Sequence, residues 1–180
     1  MGLYDTITFK FYLRYSYDDT LPLSLFMPIK KAQTWKFTNS ASGSWTEVSF
    51  SDSSWADYVE GGSTSSTGTQ YYRKTFTAVA DNAAYEIGVK YRHGILVHVN
   101  GVELLRDNMA TGDVDSSTTA EGLYTDSIFR RFIRNGHELA SSSVLAVEIH
   151  FLTTTHTGID FDGYLATYAA TTNTNLNPSK

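Results

Sequence analysis

The sequence of 180 residues contains no cysteine and only three prolines. Without cysteine the chain forms neither a disulfide framework nor a thiolate metal site, and it has no thiol nucleophile. Charged residues are also few, at 18% of the chain, and the formal net charge is −5. The basic residues are scattered and form no stripe that would neutralise several phosphates, which argues against nucleic acid as a partner.

Long apolar runs are missing as well. No stretch approaches the roughly 20 consecutive apolar residues of a membrane-spanning helix. Residues 1–5 lack the basic segment and following apolar run of a secretory signal. Two locations fit these facts, either the cytoplasm or a domain of a longer secreted chain.

Aromatic residues are plentiful, with 12 tyrosines, 10 phenylalanines and three tryptophans. Such residues fit the half-buried face of a β-sheet. Apolar and polar residues alternate with period 2 along much of the chain, whereas no window of eleven residues carries a helical stripe. This pattern predicts an all-β fold with mostly antiparallel strand pairs, and the length predicts a single domain.

Individual strands can be placed from the alternation. Residues 21–29 contain Pro22 and Pro28, which limits this segment to an edge strand or an extended connector. Asn100-Gly101 lies between two β-type runs and favours a type I′ turn, so a tight hairpin is predicted there. The other predicted strands are 7–15, 71–78, 85–91, 127–133, 144–152 and 161–168.

Several motifs in a fixed order resemble one known family. The order resembles the galactose-binding-domain-like jelly rolls, in particular the accessory β-sandwich modules found beside glycosidases and other catalytic domains. The resemblance covers residues 33–168. The motifs that carry it are Trp35-Lys36-Phe37, Trp45, residues 49–55, residues 71–76, residues 97–109, residues 144–150 and residues 159–162.

The resemblance implies an antiparallel β-sandwich of jelly-roll topology spanning residues 1–168. Residues 169–180 have almost nothing to bury, so we expect a flexible tail or linker. Family members commonly bind carbohydrate or another ligand at loops on one end of the sandwich and often carry structural calcium. They occur in secreted and surface proteins, which implies an extracellular or cell-surface location. Many have an acidic pair before the glycine of the hairpin's entry turn, where this chain has Arg92-His93-Gly94.

The candidate ligand-binding residues are Trp45, Arg92, His93 and Tyr124. Aromatic rings bind sugars by stacking on their C–H faces, while polar groups meet the hydroxyls. Trp45 lies between short polar segments and is less constrained than the other two tryptophans, so two alternatives are open for it, burial or solvent exposure with ligand contact. Trp35 and Trp55 lie inside the family motifs and are predicted core residues.

The candidate metal-binding residues are Asp113, Asp115, Asp160 and Asp162. Calcium is the ion they would bind, because it takes hard oxygen ligands from loops. Two alternatives remain open for these carboxylates, namely solvated or turn-capping side chains and a catalytic pair.

Arg73 and Arg106 are both placed beside aromatic residues. A structural ion pair is the favoured interpretation for each, with Glu148 or Asp107 as partners. The alternative is an arginine that binds a sugar hydroxyl or an anionic ligand.

No motif of an enzyme is present, neither a Gly-x-Ser-x-Gly elbow, nor a phosphate-binding loop, nor a zinc signature. We therefore predict a non-catalytic binding or accessory module of a secreted or surface protein, with carbohydrate or a neighbouring protein domain as its partner. The alternative is a structural or assembly protein that uses the same β-sandwich to associate with copies of itself.

Overall fold

The computed structural model describes residues 25–60, 68–78, 82–126, 128–135, 139–153 and 161–169. Within these ranges the chain forms ten β-strands and no helix, and hence no helix that could cross a membrane. The strands are β1 (Leu25–Ile29), β2 (Trp35–Thr38), β3 (Ala56–Tyr58), β4 (Gln70–Thr77), β5 (Asn82–Lys90), β6 (Gly94–Val99), β7 (Val102–Asp107), β8 (Phe129–Asn135), β9 (Ser142–His150) and β10 (Asp162–Ala169).

The strands form two antiparallel sheets. The smaller sheet has the order β1-β10-β5-β8, and the larger has the order β3-β2-β4-β9-β6-β7. Side chains from both sheets form one core between them, so the predicted all-β antiparallel sandwich is confirmed. Fully buried members include Tyr72, Ile87, Val97, Val147 and Leu165. Burying one such side chain stabilises the fold by about 1.5–3 kcal/mol.

The Asn100-Gly101 hairpin is also confirmed. Asn100 and Gly101 have φ values of 53° and 87°, as a type I′ turn requires, and they connect the paired strands β6 and β7. The Asn100 side chain accepts a hydrogen bond from the backbone N–H of Val144 at 2.9 Å. The turn is thereby fixed to the start of β9.

Among the described strands β1 lies at an edge of its sheet, as residues 21–29 predict, and its register shifts between Phe26 and Ile29, around Pro28. The other edge of the smaller sheet is β8. Its Arg130 and Arg134 pair with Val89 and Tyr85, whose side chains lie in the core, so both arginines belong to the inward face. Inward charges at an edge strand disfavour pairing with another chain.

The middle of the larger sheet is buried on both faces, which alternation alone does not predict. In β9 every residue from Ser143 to His150 is buried. Alternate residues face the core, while Ala146 and its neighbours on the outer face lie under connecting segments. Residues 39–55 place Trp45 against Tyr71 and Ala146, and residues 108–121 place Met109 and Ala120 against Leu96.

Some predicted segments lie outside the described residues, and others differ from the structure. The strand predicted at 7–15 and residues 170–180 of the predicted tail lie outside the described residues. Ala169, predicted to begin that tail, is the last residue of β10. The short strands β2 and β3 were not predicted, since four and three residues carry too little alternation.

Candidate functional site

Five side chains meet at one end of the sandwich and form what we call the Asp107 cluster: Tyr91, Arg92, Asp107, Tyr124 and Arg130. The strand register brings them together. The end of β5 pairs with the start of β8, and the end of β7 pairs with the start of β6. Residues far apart in sequence therefore meet where these strands end.

Asp107 is the hydrogen-bond acceptor at the centre of the cluster. Its Oδ2 accepts hydrogen bonds from the hydroxyl of buried Tyr91 and from the hydroxyl of Tyr124, the latter at 2.9 Å. Burial raises the pKa of both tyrosines, and the hydrogen bond to Asp107 raises it further. Both phenols therefore stay protonated and donate to the carboxylate at neutral pH.

Two arginines contact Tyr124. Arg92 Nε donates to the carbonyl of Tyr124 at 3.1 Å, and the N–H of Tyr124 donates to the carbonyl of Arg92 at 2.7 Å. The guanidinium of Arg130 lies over the Tyr124 ring, with its carbon 3.7 Å from the ring centroid, and donates to Asp126 at 2.6 Å. Stacking of a cation on a ring fixes the orientation of both groups.

The ring of Tyr124 is half-exposed and has polar side chains around it. Its hydroxyl donates to Asp107, the guanidinium of Arg130 lies over its face, and its carbonyl accepts from Arg92. Among the described residues no hydrogen bond is made by Asp107 Oδ1 or by the terminal nitrogens of Arg92, and both side chains are half-buried. This combination of polar groups with an aromatic ring suits a small polar ligand.

The predicted ligand-binding residues divide between this cluster and other places. Arg92 and Tyr124 belong to the cluster. His93 is buried, its ring centroid lies 4.7 Å from that of Phe151, and its Nδ1 accepts a weak 3.4 Å hydrogen bond from the backbone of Leu152. Its contacts are those of a core residue.

Of the two alternatives for Trp45, the structure shows burial. It is 9% exposed, and its ring packs edge-on against Tyr71 and His98 on the outer face of the larger sheet. Residues 39–55 fold back over this face and bury the ring, because that removes a large apolar surface from water. A sugar cannot stack on the ring in this position, and a ligand contact of Trp45 stays a prediction.

The predicted metal ligands lie on separate elements. Asp113 and Asp115 are exposed in the β7–β8 connection. Asp115 Oδ1 accepts hydrogen bonds from the backbone N–H groups of Ser117 and Thr118 at 2.8 and 3.0 Å. Together with the bonds from both hydroxyls, these hold the pKa of its carboxyl below the usual value. Asp115 thus acts as a turn-capping residue.

Asp162 lies on β10 and is buried. Its Oδ2 accepts a hydrogen bond from the N–H of Ala32 at 2.9 Å, and burial raises the pKa of its carboxyl. Asp160 lies outside the described residues. In the described part of the chain no three histidine or acidic side chains come together as metal ligands. Calcium binding by these four aspartates stays a prediction.

Arg73 forms an ion pair, but the predicted partners are wrong. Arg73 is 1% exposed, and its Nε donates to Asp52 at 3.0 Å. Its terminal nitrogens donate to the carbonyls of Trp45, Glu47 and Phe50, the last two at 3.2 Å each. Neither Glu148 nor Asp107 is involved. One guanidinium thus fixes residues 39–55 on the sheet.

Arg106 pairs with Glu103 at 2.8 Å, again with neither predicted partner.

A separate cleft of about 80 Å³ is lined by Gly68, Thr69, residues 116–119, Phe151 and Thr153. Ligand pockets usually enclose about 300–1,000 Å³. This cleft is therefore too small for a sugar ring, and the Asp107 cluster is the better candidate site.

No protein-family model and no curated protein sequence matches the chain. Solved structures do. A β-glucuronidase of Bacteroides uniformis superposes on 81% of this chain with a TM-score of 0.54 and 16% identity, over 18% of its own chain. A β-glucuronidase from glycoside hydrolase family 2 superposes on 84% with a TM-score of 0.57 and 15% identity, over 18% of its chain.

A β-glucuronidase of an uncultured Clostridium sp. superposes on 83% of the chain with a TM-score of 0.52 and 14% identity, over 30% of its own chain. At such identities the likeness shows the fold, that of a β-sandwich domain. The chain spans 18–30% of the length of these three similar proteins.

Proposed function

We propose that the chain is a non-catalytic β-sandwich module that binds carbohydrate through the Asp107 cluster. The observation that carries the proposal is the half-exposed ring of Tyr124, whose hydroxyl donates to the half-buried Asp107 and whose face is covered by the guanidinium of Arg130. Sugars present hydroxyls that both donate and accept hydrogen bonds, and a carboxylate and a guanidinium supply the two complementary partners.

The roles of the nearby carboxylates support a non-catalytic module. Glycoside hydrolysis needs two carboxyl groups free to act on the bond, one as acid and the other as base or nucleophile. Here Asp107 is held by two phenols and Asp126 is paired with Arg130. Both carboxylates hold neighbouring side chains of the cluster in place. This role suits a site that binds a ligand without cleaving it.

The solved structures support a place within a longer protein. Each carries the matching sandwich as a minor part of its chain. We propose the same for this chain, as an accessory domain of the galactose-binding-domain-like jelly-roll type in a secreted or surface protein. Its charge of −5 and few charged residues suit a partner that is not strongly charged.

A glycan array tests the proposal, with the wild type beside Arg92→Ala and the matched control Arg131→Ala. Arg131 is exposed on β8 and contacts no residue of the cluster. We expect the wild type and the control to retain the same glycans and Arg92→Ala to lose them. Each array is run with calcium and with EDTA, which also tests the predicted calcium ligands Asp113, Asp115, Asp160 and Asp162.

The assembly alternative has one observation in its favour. Ile128 and Ile133, at the edge strand β8, are 54% and 65% exposed. Light scattering after gel filtration decides between the two functions. A uniform oligomer that retains no glycan would favour assembly, whereas a monomer that retains glycans would favour the binding module.

A further inference from the structure

We infer that Asn100 is a deamidation site that the closed β6–β7 hairpin protects, and that it reacts when the hairpin opens away from β9. The inference concerns a covalent modification and does not depend on the carbohydrate binding proposed above. It follows from the pair of residues at the turn and from the hydrogen bonds of the Asn100 side chain.

The pair Asn100-Gly101 is the kind of sequence in which deamidation is most favourable. The main-chain nitrogen of Gly101 attacks the side-chain carbonyl carbon of Asn100, and a succinimide ring closes. The N–H proton passes through water to the side-chain nitrogen, which leaves as ammonia. Glycine favours this step because it has no side chain to hinder the approach of its nitrogen. Water then opens the ring at either carbonyl and gives aspartate or isoaspartate.

In the folded hairpin the side-chain amide of Asn100 is held at both of its polar atoms. Its Oδ1 accepts a hydrogen bond from the N–H of Val144 at 2.9 Å, and its Nδ2 donates to the hydroxyl of Ser143 at 3.2 Å. The main-chain N–H of Asn100 also donates to the carbonyl of Val144 at 3.2 Å. The amide is thus directed towards β9, and ring closure requires these hydrogen bonds to break.

The part of β9 that holds the amide is firmly fixed. Ser143 and Val144 are both fully buried, and β9 is paired with β4 on one side and β6 on the other. Ser143 also donates to the carbonyl of Ala140 at 2.9 Å, which leaves its oxygen to accept from Asn100. Asn100 is therefore released when the turn detaches from β9. Because deamidation is slow compared with reclosing, its rate follows the population of the open form.

The products differ from asparagine in ways that matter at this turn. Aspartate lacks the N–H that Asn100 donates to Ser143. Isoaspartate adds a methylene to the main chain of the two-residue turn. Both products place a negative charge beside Gly101, against which the carboxylate of Glu47 already lies. Since ammonia is lost, asparagine is not regenerated, and the modified residue is a permanent record of hairpin opening.

Peptide mapping by mass spectrometry measures the reaction at neutral pH, in the native protein and in urea that unfolds it. Asn135-Gly136 has the same following residue and is the internal reference for the chemistry in urea. We expect Asn100 to react as fast as Asn135 in urea and at least about tenfold more slowly in the native protein. An equal rate for Asn100 in both conditions, or no reaction of Asn100 in urea, overturns the inference.

Ser143→Ala tests the contact that holds the amide. The variant removes the acceptor of Asn100 Nδ2 and should speed deamidation of the native protein about fivefold, the effect of one hydrogen bond, with no change in urea. Ser142→Ala, at an exposed position of the same strand, is the matched control and should react like the wild type. Equal native rates in the two variants overturn the inference.

A measurement on the wild type replaces the variant if Ser143→Ala does not fold. Hydrogen exchange of the Val144 N–H, followed by NMR, measures the opening directly, because this group donates to Asn100 Oδ1. In urea below the unfolding transition, the exchange rate of Val144 and the deamidation rate of Asn100 should rise in the same proportion. A deamidation rate that stays constant while the exchange rate rises overturns the inference.

Discussion

Replacing Arg73 with methionine should release residues 39–55 from the outer face of the larger sheet. Methionine keeps much of the side-chain volume and therefore isolates the polar contribution of the guanidinium. Its removal leaves the carboxylate of Asp52 unpaired, and the carbonyls of Trp45, Glu47 and Phe50 lose their donor. Among the described residues, the carbonyl of Glu47 accepts one further hydrogen bond, from the N–H of Phe50. The carbonyls of Trp45 and Phe50 accept no other hydrogen bond from these residues.

The magnitude follows from the burial of the pair. Breaking a buried ion pair by removing one partner costs about 3–5 kcal/mol. The Asp52 side chain is 22% exposed and becomes partly hydrated in the variant, which lowers the cost. The three carbonyls lose hydrogen bonds from a charged donor, which raises the cost. We therefore expect the free energy of unfolding to fall by about 3–4 kcal/mol, a large part of the stability of a domain of this size.

Urea unfolding followed by circular dichroism measures the loss, and tryptophan fluorescence locates it. Trp45 and Trp55 lie within or at the end of the released segment, whereas Trp35 is in the core. We expect red-shifted emission of the native state together with the lower midpoint. Lys36→Met, at an exposed ion pair, is the matched control and should leave both unchanged. A loss below about 1 kcal/mol with unchanged emission would refute the role of Arg73, since surface pairs alone contribute that much.

Three further predictions concern the backbone and one histidine. Gly101→Ala forces a side chain onto a residue with φ of 87° and into the carboxylate of Glu47, so thermal unfolding should show a loss of about 1–3 kcal/mol; an unchanged Tm would contradict this. Gly88→Ala places a Cβ inside the ring of Tyr164 and should cost about 1–3 kcal/mol in urea unfolding, and an unchanged midpoint would refute this close contact. Burial lowers the pKa of His98, so its stabilising contribution is complete above the unfolded pKa of 6.5 and is lost as the pH falls through the folded pKa. Between pH 7 and pH 5 the free energy of unfolding should fall more in the wild type than in His98→Gln, and equal falls would show that His98 does not titrate in this way.

The parts of the fold that sequence predicts are those set by local pattern. Alternation places β4, β5, β8, β9 and β10 to within a few residues, since each has one face in the core. The Asn100-Gly101 turn is predictable because positive φ at two successive residues restricts the residue types. β2 and β3 escape prediction, because four and three residues carry too little alternation to indicate a strand.

The candidate site is predictable only in part. Arg92 and Tyr124 were predicted as ligand-binding residues, and the structure places both in one cluster. Asp107 was noted only as a partner for an arginine, since its contacts with Tyr91 and Tyr124 span 16 and 17 positions and arise from sheet register. The environment of Trp45 could not be predicted from the sequence either, because an aromatic ring in a polar segment can be covered by its own loop.

The clamp formed by Arg73 also bears on how this domain can diverge. The guanidinium binds main-chain carbonyls, which every residue type possesses, at positions 45, 47 and 50. Side chains at 47 and in the exposed positions around it are therefore free to change without loss of the anchor, provided that the backbone path and Asp52 are retained. Natural sequence variation or protein engineering can thus change the exposed side chains of residues 39–55 while the sandwich beneath remains the same.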